Sequence, residues 1–339
     1  MTRITVRPFE PRDLDDAARL LAARHTRDRQ RLPMLAAALE ERAACRSMLA
    51  PLVENPRAEG AIATRGDQVV GFLFGEQSLI APDNFAYQFV PPYAIAIGVQ
   101  HHAVAVGEDA TTVYRALYAH LAEGWTRKGF FEHRAHVVPG DAEVQEAWVA
   151  LGFGRHMTAA TRSTEDPVRN TRAAGIEVHD ASPEDIDVVM GLSLTLARHH
   201  AQAPMFWPVL PTALPAAREF MLGALADPSC PHFIGYRDGK PIGMQTFLVE
   251  GFTPPIVERD GNIYLFEGVV EPEAQSAGVG AALLDHGMRW ARDSGYRWCT
   301  LHFASGNPSG APFWLSHGFI PVEHAMVRRI DERIAWARE

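Results

Sequence analysis

Gln275-Ser276-Ala277-Gly278-Val279-Gly280 stands between two runs of different periodicity. Before it, Asn262-Ile-Tyr-Leu-Phe-Glu-Gly-Val-Val270 is β-branched and aromatic and is stopped by Pro272, the pattern of a strand. After it, Leu283, Leu284, Gly287 and Met288 recur at helical spacing. The glycines therefore sit in a strand-to-helix turn. Such a turn aims several main-chain N–H groups and the positive end of a helix dipole at one point, and residues without Cβ let an anion reach the backbone. The stretch predicts a phosphate-binding turn.

Two familiar phosphate motifs do not fit. The dinucleotide fingerprint needs a third glycine or small residue, but the count from Gly278 and Gly280 lands on Leu283, and no acidic residue closes the next strand. A P-loop lacks its Gly-Lys-Ser/Thr. Downstream, Gly295 marks a stop, Arg297-Trp-Cys-Thr-Leu-His-Phe303 reads as a strand, and Asn307-Pro-Ser-Gly-Ala-Pro-Phe313-Trp314-Leu-Ser-His-Gly318-Phe319 follows. A Q/R-x-x-G-x-G/A loop, then an asparagine, an aromatic pair one helix later and a closing Gly-Phe together resemble the GNAT acyltransferase superfamily, whose loop holds the pyrophosphate of coenzyme A. The pattern departs at Trp314, where the superfamily usually carries tyrosine.

At 339 residues the chain exceeds the usual single domain, which predicts two. With 47% hydrophobic and 22% charged residues, each half can bury a core. A formal net charge of −9 argues against nucleic acid or an anionic membrane as the main partner. The N-terminus opens on a strand pattern rather than a signal peptide, and no apolar run reaches membrane-spanning length. Cys45, Cys230 and Cys299 are scattered without metal-type spacing, so no metal is expected and a reduced, cytoplasmic setting is.

The sequence repeats itself. Ile4-Thr-Val-Arg-Pro-Phe-Glu-Pro11-Arg-Asp13-Leu-Asp15 returns as Ile176-Glu-Val-His-Asp-Ala-Ser-Pro183-Glu-Asp185-Ile-Asp187, and Gly71 returns as Gly243 at the same offset. Farther on the offset is six residues shorter: Gly129 meets Gly295, Trp148 meets Trp314, and Gly152-Phe153 meets Gly318-Phe319. The extra residues fall between Gly71 and His101, where loop insertions are cheap. The polar run Arg162–Gly175 reads as a linker. The division expected is 1–161, linker 162–175, and 176–339. Each copy is expected to be an α/β unit, a mixed and mainly antiparallel sheet flanked by helices, which is the GNAT order. The tandem arrangement is similar to that of mycothiol synthase and related two-domain members.

The copies are unequal. Gln275, Gly278 and Gly280 correspond to Asp109, Thr112 and Tyr114, so the first copy has lost both glycines and gained a carboxylate that should repel phosphate. Asp109-Ala-Thr-Thr112 still opens a helix, whose free N–H groups and hydroxyls could hold a second, structural coenzyme A through Ala103, Val104, Ala110, Thr111, Thr112 and Tyr114. The alternative is Asp109 as a plain N-cap.

For the second copy the resemblance implies more. Pantetheine would add to the strand edge at Val269 and Val270, the pyrophosphate would rest on Gln275, Ser276, Ala277, Gly278, Val279, Gly280 and Ala281, and Asn307 and Trp314 would flank the cofactor. An acyl thioester needs an oriented amine, a base and a stabilised oxyanion. Glu267, in the strand leading into the site, is one candidate base, with its pKa raised by burial. Tyr264 holds the position often used by the superfamily's glutamate, three residues earlier and on the opposite face of an unbulged strand; a bulge could bring Glu267 to the pocket. His302 is the third, because imidazole titrates near neutrality. Trp314 cannot give up a proton to the leaving thiolate as tyrosine would.

Acceptor choice is expected from Ala197–Pro211, dense in histidine, aromatic and proline residues, which suits either a lid or a helix corner packed on itself. Its counterpart, the basic run Arg24–Arg31, reads as a solvated helix face or as an attractor of phosphates. The expected activity is transfer of an acyl group, acetyl or another, from coenzyme A to the amine of a small molecule, by a monomer or homodimer. A non-catalytic acyl-CoA-binding protein and a protein-amine acetyltransferase are the alternatives.

Overall fold

The computed structural model describes residues 3–169, 175–249 and 251–337. In the first half the order is β1 (Ile4–Pro8), α1 (Leu14–Arg29), α2 (Arg42–Glu54), β2 (Ala58–Arg65), β3 (Gln68–Leu79), β4 (Tyr93–Ile97), β5 (His102–Val104), α3 (Ala110–Arg127), β6 (Glu132–Val137), α4 (Ala142–Ala150) and β7 (Gly154–Ser163). The second half has β8 (Glu177–Asp180), α5 (Ile186–Ala201), α6 (Leu214–Ala226), β9 (His232–Arg237), β10 (Lys240–Leu248), β11 (Asn262–Val270), α7 (Val279–Asp293), β12 (Trp298–Ala304), α8 (Gly310–Ser316) and β13 (Ile320–Arg329).

The repeated Pro-x-Asp has a local cause. Asp13 and Asp185 each accept the N–H of the residue three positions earlier, Glu10 and Ser182, at 2.9 Å, closing a capping box at the turn before the first helix of each copy. The glycine counterparts Gly129 and Gly295, and Gly152 and Gly318, all have positive φ, which explains why the same residue closes the same helix in both halves.

All thirteen strands form one sheet, in the order β1-β2-β3-β4-β6-β13-β7-β12-β11-β10-β9-β8 with β5 beside β3. The pairs β4–β6 and β11–β12 are parallel and the other pairs described are antiparallel. The last strands of the two halves are exchanged: β13 lies between β6 and β7, and β7 lies between β13 and β12. Apolar clusters fill both faces, under α1–α2 and α3–α4 in the first half and under α5–α6 and α7–α8 in the second.

Three expectations need correction. The linker does not begin at 162: Arg162 and Ser163 complete β7, the buried Arg162 guanidinium donates to His317 O at 2.6 Å, and Thr164 N donates to Arg297 O at 3.0 Å. Residues 170–174 of the expected linker lie outside the described residues. The basic run on α1 is not simply solvated, because Arg24, His25 and Asp28 are buried and Arg24 donates to His102 O at 2.5 Å. The inserted segment of the first half is no free surface loop. It leaves the long β3, makes a 3-10 turn at Phe85–Gln88 and packs on α6 of the second half.

Candidate active site

β11 pairs with β10 along its length, but with β12 only over Asn262–Leu265. Beyond Leu265 the edge of β11 facing β12 has no strand partner among the described residues, and the two strands part. At the end of the parted edge the chain turns through Ser276 (φ 62°) and Gly278 (φ 81°) into α7. Only glycine takes the second of these conformations without strain. No side chain caps α7, and its first backbone bond recorded as a helical return is Ala282 N to Gly278 O at 3.0 Å. The N–H groups of Val279, Gly280 and Ala281 are thus the open donors every uncapped helix start presents. Gly280 is small for a second reason: a Cβ there would stand 3.2 Å from the Phe313 ring. Gln275 folds back, Nε2 donating to Val270 O at 3.2 Å.

The corresponding start of α3 is closed. Asp109 accepts from Thr111 N at 3.1 Å and from the Thr112 hydroxyl. Tyr114, at the place of Gly280, is 0% exposed, with its hydroxyl bonded to His102 Nδ1 at 2.7 Å and its ring 5.3 Å from that of Trp148. Val104 and Ala110 are buried in the same core and Ala103 in the cluster under α1 and α2, while Thr111 and Thr112 lie at the surface end of the helix. The first-half residues named as a second site thus form packing and a self-capped helix.

In the second half, a cavity of about 1700 Å³ brings together Tyr264, Glu267, Val269, Val270, Gln275, Ser276, Gly278, Val279, Gly280, Ala281, His302, Asn307 and Trp314; Ala277 is not among its lining residues. A β-bulge settles the geometry of the candidate bases. Thr246 pairs with Glu267 but Phe247 pairs with Leu265, so Phe266 is the extra residue and Tyr264 and Glu267 face the same side. Ser193 Oγ donates to Glu267 Oε2 at 2.6 Å. Burial pushes the Glu267 carboxyl up to about 7, and the Ser193 bond offsets part of that rise.

Tyr264 and His302 form a neutral pair instead. Burial raises the phenol, whose hydroxyl is hydrogen-bonded to His302 Nδ1 at 2.8 Å, and burial lowers the imidazole to about 4. The expectation that His302 titrates near neutrality is therefore corrected. Asn307 Oδ1 accepts from Gly310 N at 2.9 Å and Ser309 N at 3.1 Å, fixing the start of α8, while Nδ2 donates to no described residue. Trp314 packs over Gly268, where an added Cβ would come within 2.9 Å of its ring. From Ala197–Pro211, His199, His200, Trp207 and Pro211 reach the cavity, whereas Phe206 is 73% exposed and does not.

Sequence reasoning missed Ser193, for which no motif gave a signal. It also missed Phe85, Phe89, Arg134 and Met157, first-half residues that line the second-half cavity. The spacing of Phe85 and Phe89, one helical turn apart in the inserted segment, was the available clue.

One cavity thus holds an uncapped helix start, the parted edge of β11 and a buried carboxyl pushed up to about 7. Residues 195–319, in the second half, match the family model described as Acetyltransferase (GNAT) family. No curated protein sequence matches the chain. Among solved structures, a GCN5-related N-acetyltransferase from Sphaerobacter thermophilus is similar over 97% of this chain and 96% of its own, with TM-score 0.58 and 12% identity. A tandem GNAT protein from the clavulanic acid biosynthesis pathway is similar over 96% of this chain and 98% of its own, with TM-score 0.50 and 17% identity. These likenesses extend the GNAT fold over both halves.

Proposed function

We propose that the chain moves an acyl group of acetyl size from coenzyme A to the amine of a small molecule, with the chemistry in residues 176–339 and the first half non-catalytic. The reading is carried by one observation: the uncapped start of α7 opens onto the same cavity as Glu267, whose carboxyl is pushed to about 7. When bound, acyl-CoA supplies an electrophilic thioester. The N–H groups of Val279, Gly280 and Ala281 would hold its diphosphate; Val269 turns its main-chain groups to Met244 of β10, so the unpaired edge of β11 at Gly268 and Val270 would hold the pantetheine arm and meet charge developing on the carbonyl oxygen. Glu267, oriented by Ser193, takes the proton of the attacking amine. Trp314, in place of the usual tyrosine, cannot give up a proton. Water suffices, because a thiol with a pKa of about 8.5 is a fair leaving group.

Trp314 favours a second reading, an acyl-CoA-binding protein without turnover. Release of free thiol from acetyl-CoA across a panel of amines separates the two. Amine-dependent thiol release that is lost in Glu267→Gln supports transfer, and saturable coenzyme A binding without any release supports the second reading.

A further inference from the structure

The end of the cavity beyond Glu267 is built by both halves and is aromatic. Phe85, from the inserted segment of the first half, stacks on Phe220 of α6 with ring centroids 4.4 Å apart and planes within 9°. Both contact Phe266, the bulge residue beside Glu267, at 5.9 and 5.4 Å. Phe252 stacks on Phe266 at 6.0 Å, and Phe89 meets it edge-on at 6.5 Å. Phe89 and Phe252 remain 41% and 50% exposed although they border the cavity, so ring surface is left there for a ligand to cover. Arg134, the first-half cation at this end, is paired with Glu132 at 2.8 Å.

We propose that this wall selects the acceptor, and that the acceptor is a primary amine carried on an aromatic ring by a short linker. The proposal rests on the acyl-transfer reading above. Phe266 and Glu267 are consecutive and both line the cavity, so an amine joined by a short linker to a ring held on Phe266 would lie beside Glu267. Offset and edge-on ring contacts favour an aromatic body over a saturated one of equal size. A sugar amine would leave hydroxyls against phenylalanine rings without hydrogen-bond partners, and a polyamine would trade the hydration of its extra cations for cation–π contact alone. The first half is then a specificity element, and its inserted segment supplies the residues that read the acceptor.

The test compares 2-phenylethylamine and tryptamine with n-butylamine, glucosamine and spermidine as acceptors, using thiol release from acetyl-CoA by the full chain. The expected kcat/KM is at least about tenfold higher for the aryl amines, from stacking and burial together. Phe85→Ala is expected to raise KM for 2-phenylethylamine about tenfold while coenzyme A affinity stays within about twofold. Phe85→Leu keeps apolar bulk without the ring and is expected to lose most of the aryl preference. Equal or reversed preference overturns the proposal, as does a Phe85 effect on KM for acyl-CoA that grows with acyl length, which would make the wall an acyl pocket. If no amine releases thiol, calorimetric binding of 2-phenylethylamine to the coenzyme A-bound protein decides separately. Binding that Phe85→Ala weakens keeps the aromatic site while the transfer reading falls, and no binding removes both.

Discussion

Glu267 joins the chemistry to a cost in stability. Its carboxyl ordinarily titrates near 4.5 and in the fold near 7, because burial opposes its charge more than the Ser193 hydrogen bond supports it. A folded-state pKa raised above the unfolded one means the protonated form is favoured on folding. That contribution is complete below about 4.5 and is lost as pH rises through about 7. As a base the residue works only when deprotonated, so kcat/KM should fall on the acid side with a limb near 7. Glu267→Gln should lower kcat by roughly 100-fold or more and raise the melting temperature above pH 7, where the native carboxylate is charged; a pH series of rate and thermal melts checks both. An acid limb near 4 would point instead to His302, which titrates at about 4. The sequence named the three candidates but could not choose among them. Whether Glu267 shares a side with Tyr264 turns on the one extra residue, Phe266, and a bulge is set by pairing with Thr246 and Phe247 rather than by local composition.

At the scale of elements, α7 and α3 show how the same helix start is left open or closed by its own side chains. The glycine turn, the strand before it and the helix after it were legible in Gln275–Gly280, because glycine positions and periodicity are local properties. The role of Asp109 was legible only as two alternatives, and the contacts with Thr111 and Thr112 favour the cap. Asp109→Ala should therefore lower the denaturation midpoint and leave coenzyme A affinity unchanged, as chemical denaturation and calorimetry would show. A loss of coenzyme A binding in that variant would restore a nucleotide role to α3. The inserted segment was read as a cheap loop because insertion length says nothing about where a loop lands. Its aromatic residues meet Phe220 and Phe266 across the molecule, a contact no window of sequence contains.

The whole molecule is one sheet because β7 and β13 trade places. The repeat and the tandem fold were visible from sequence, but the exchange was not. Each copy ends in an extended strand preceded by Gly-Phe, and either strand could complete either sheet, so only the assembled chain decides. The consequence is cooperative. Without β7, the β12 edge would be bare, and the Arg162 bonds that tie Ser163 and His317 would be missing. The intact chain should unfold in a single denaturant transition with coincident fluorescence and circular dichroism curves; two separated transitions would show that the halves fold independently. The same asymmetry between α3 and α7 predicts how much nucleotide the molecule holds. Native mass spectrometry of the full chain with saturating coenzyme A should count one molecule per chain, and Gly278→Val, which forces a β-branched side chain to φ 81°, should abolish it. Two molecules per chain, or one that survives Gly278→Val, would contradict the assignment of the diphosphate to the open start of α7.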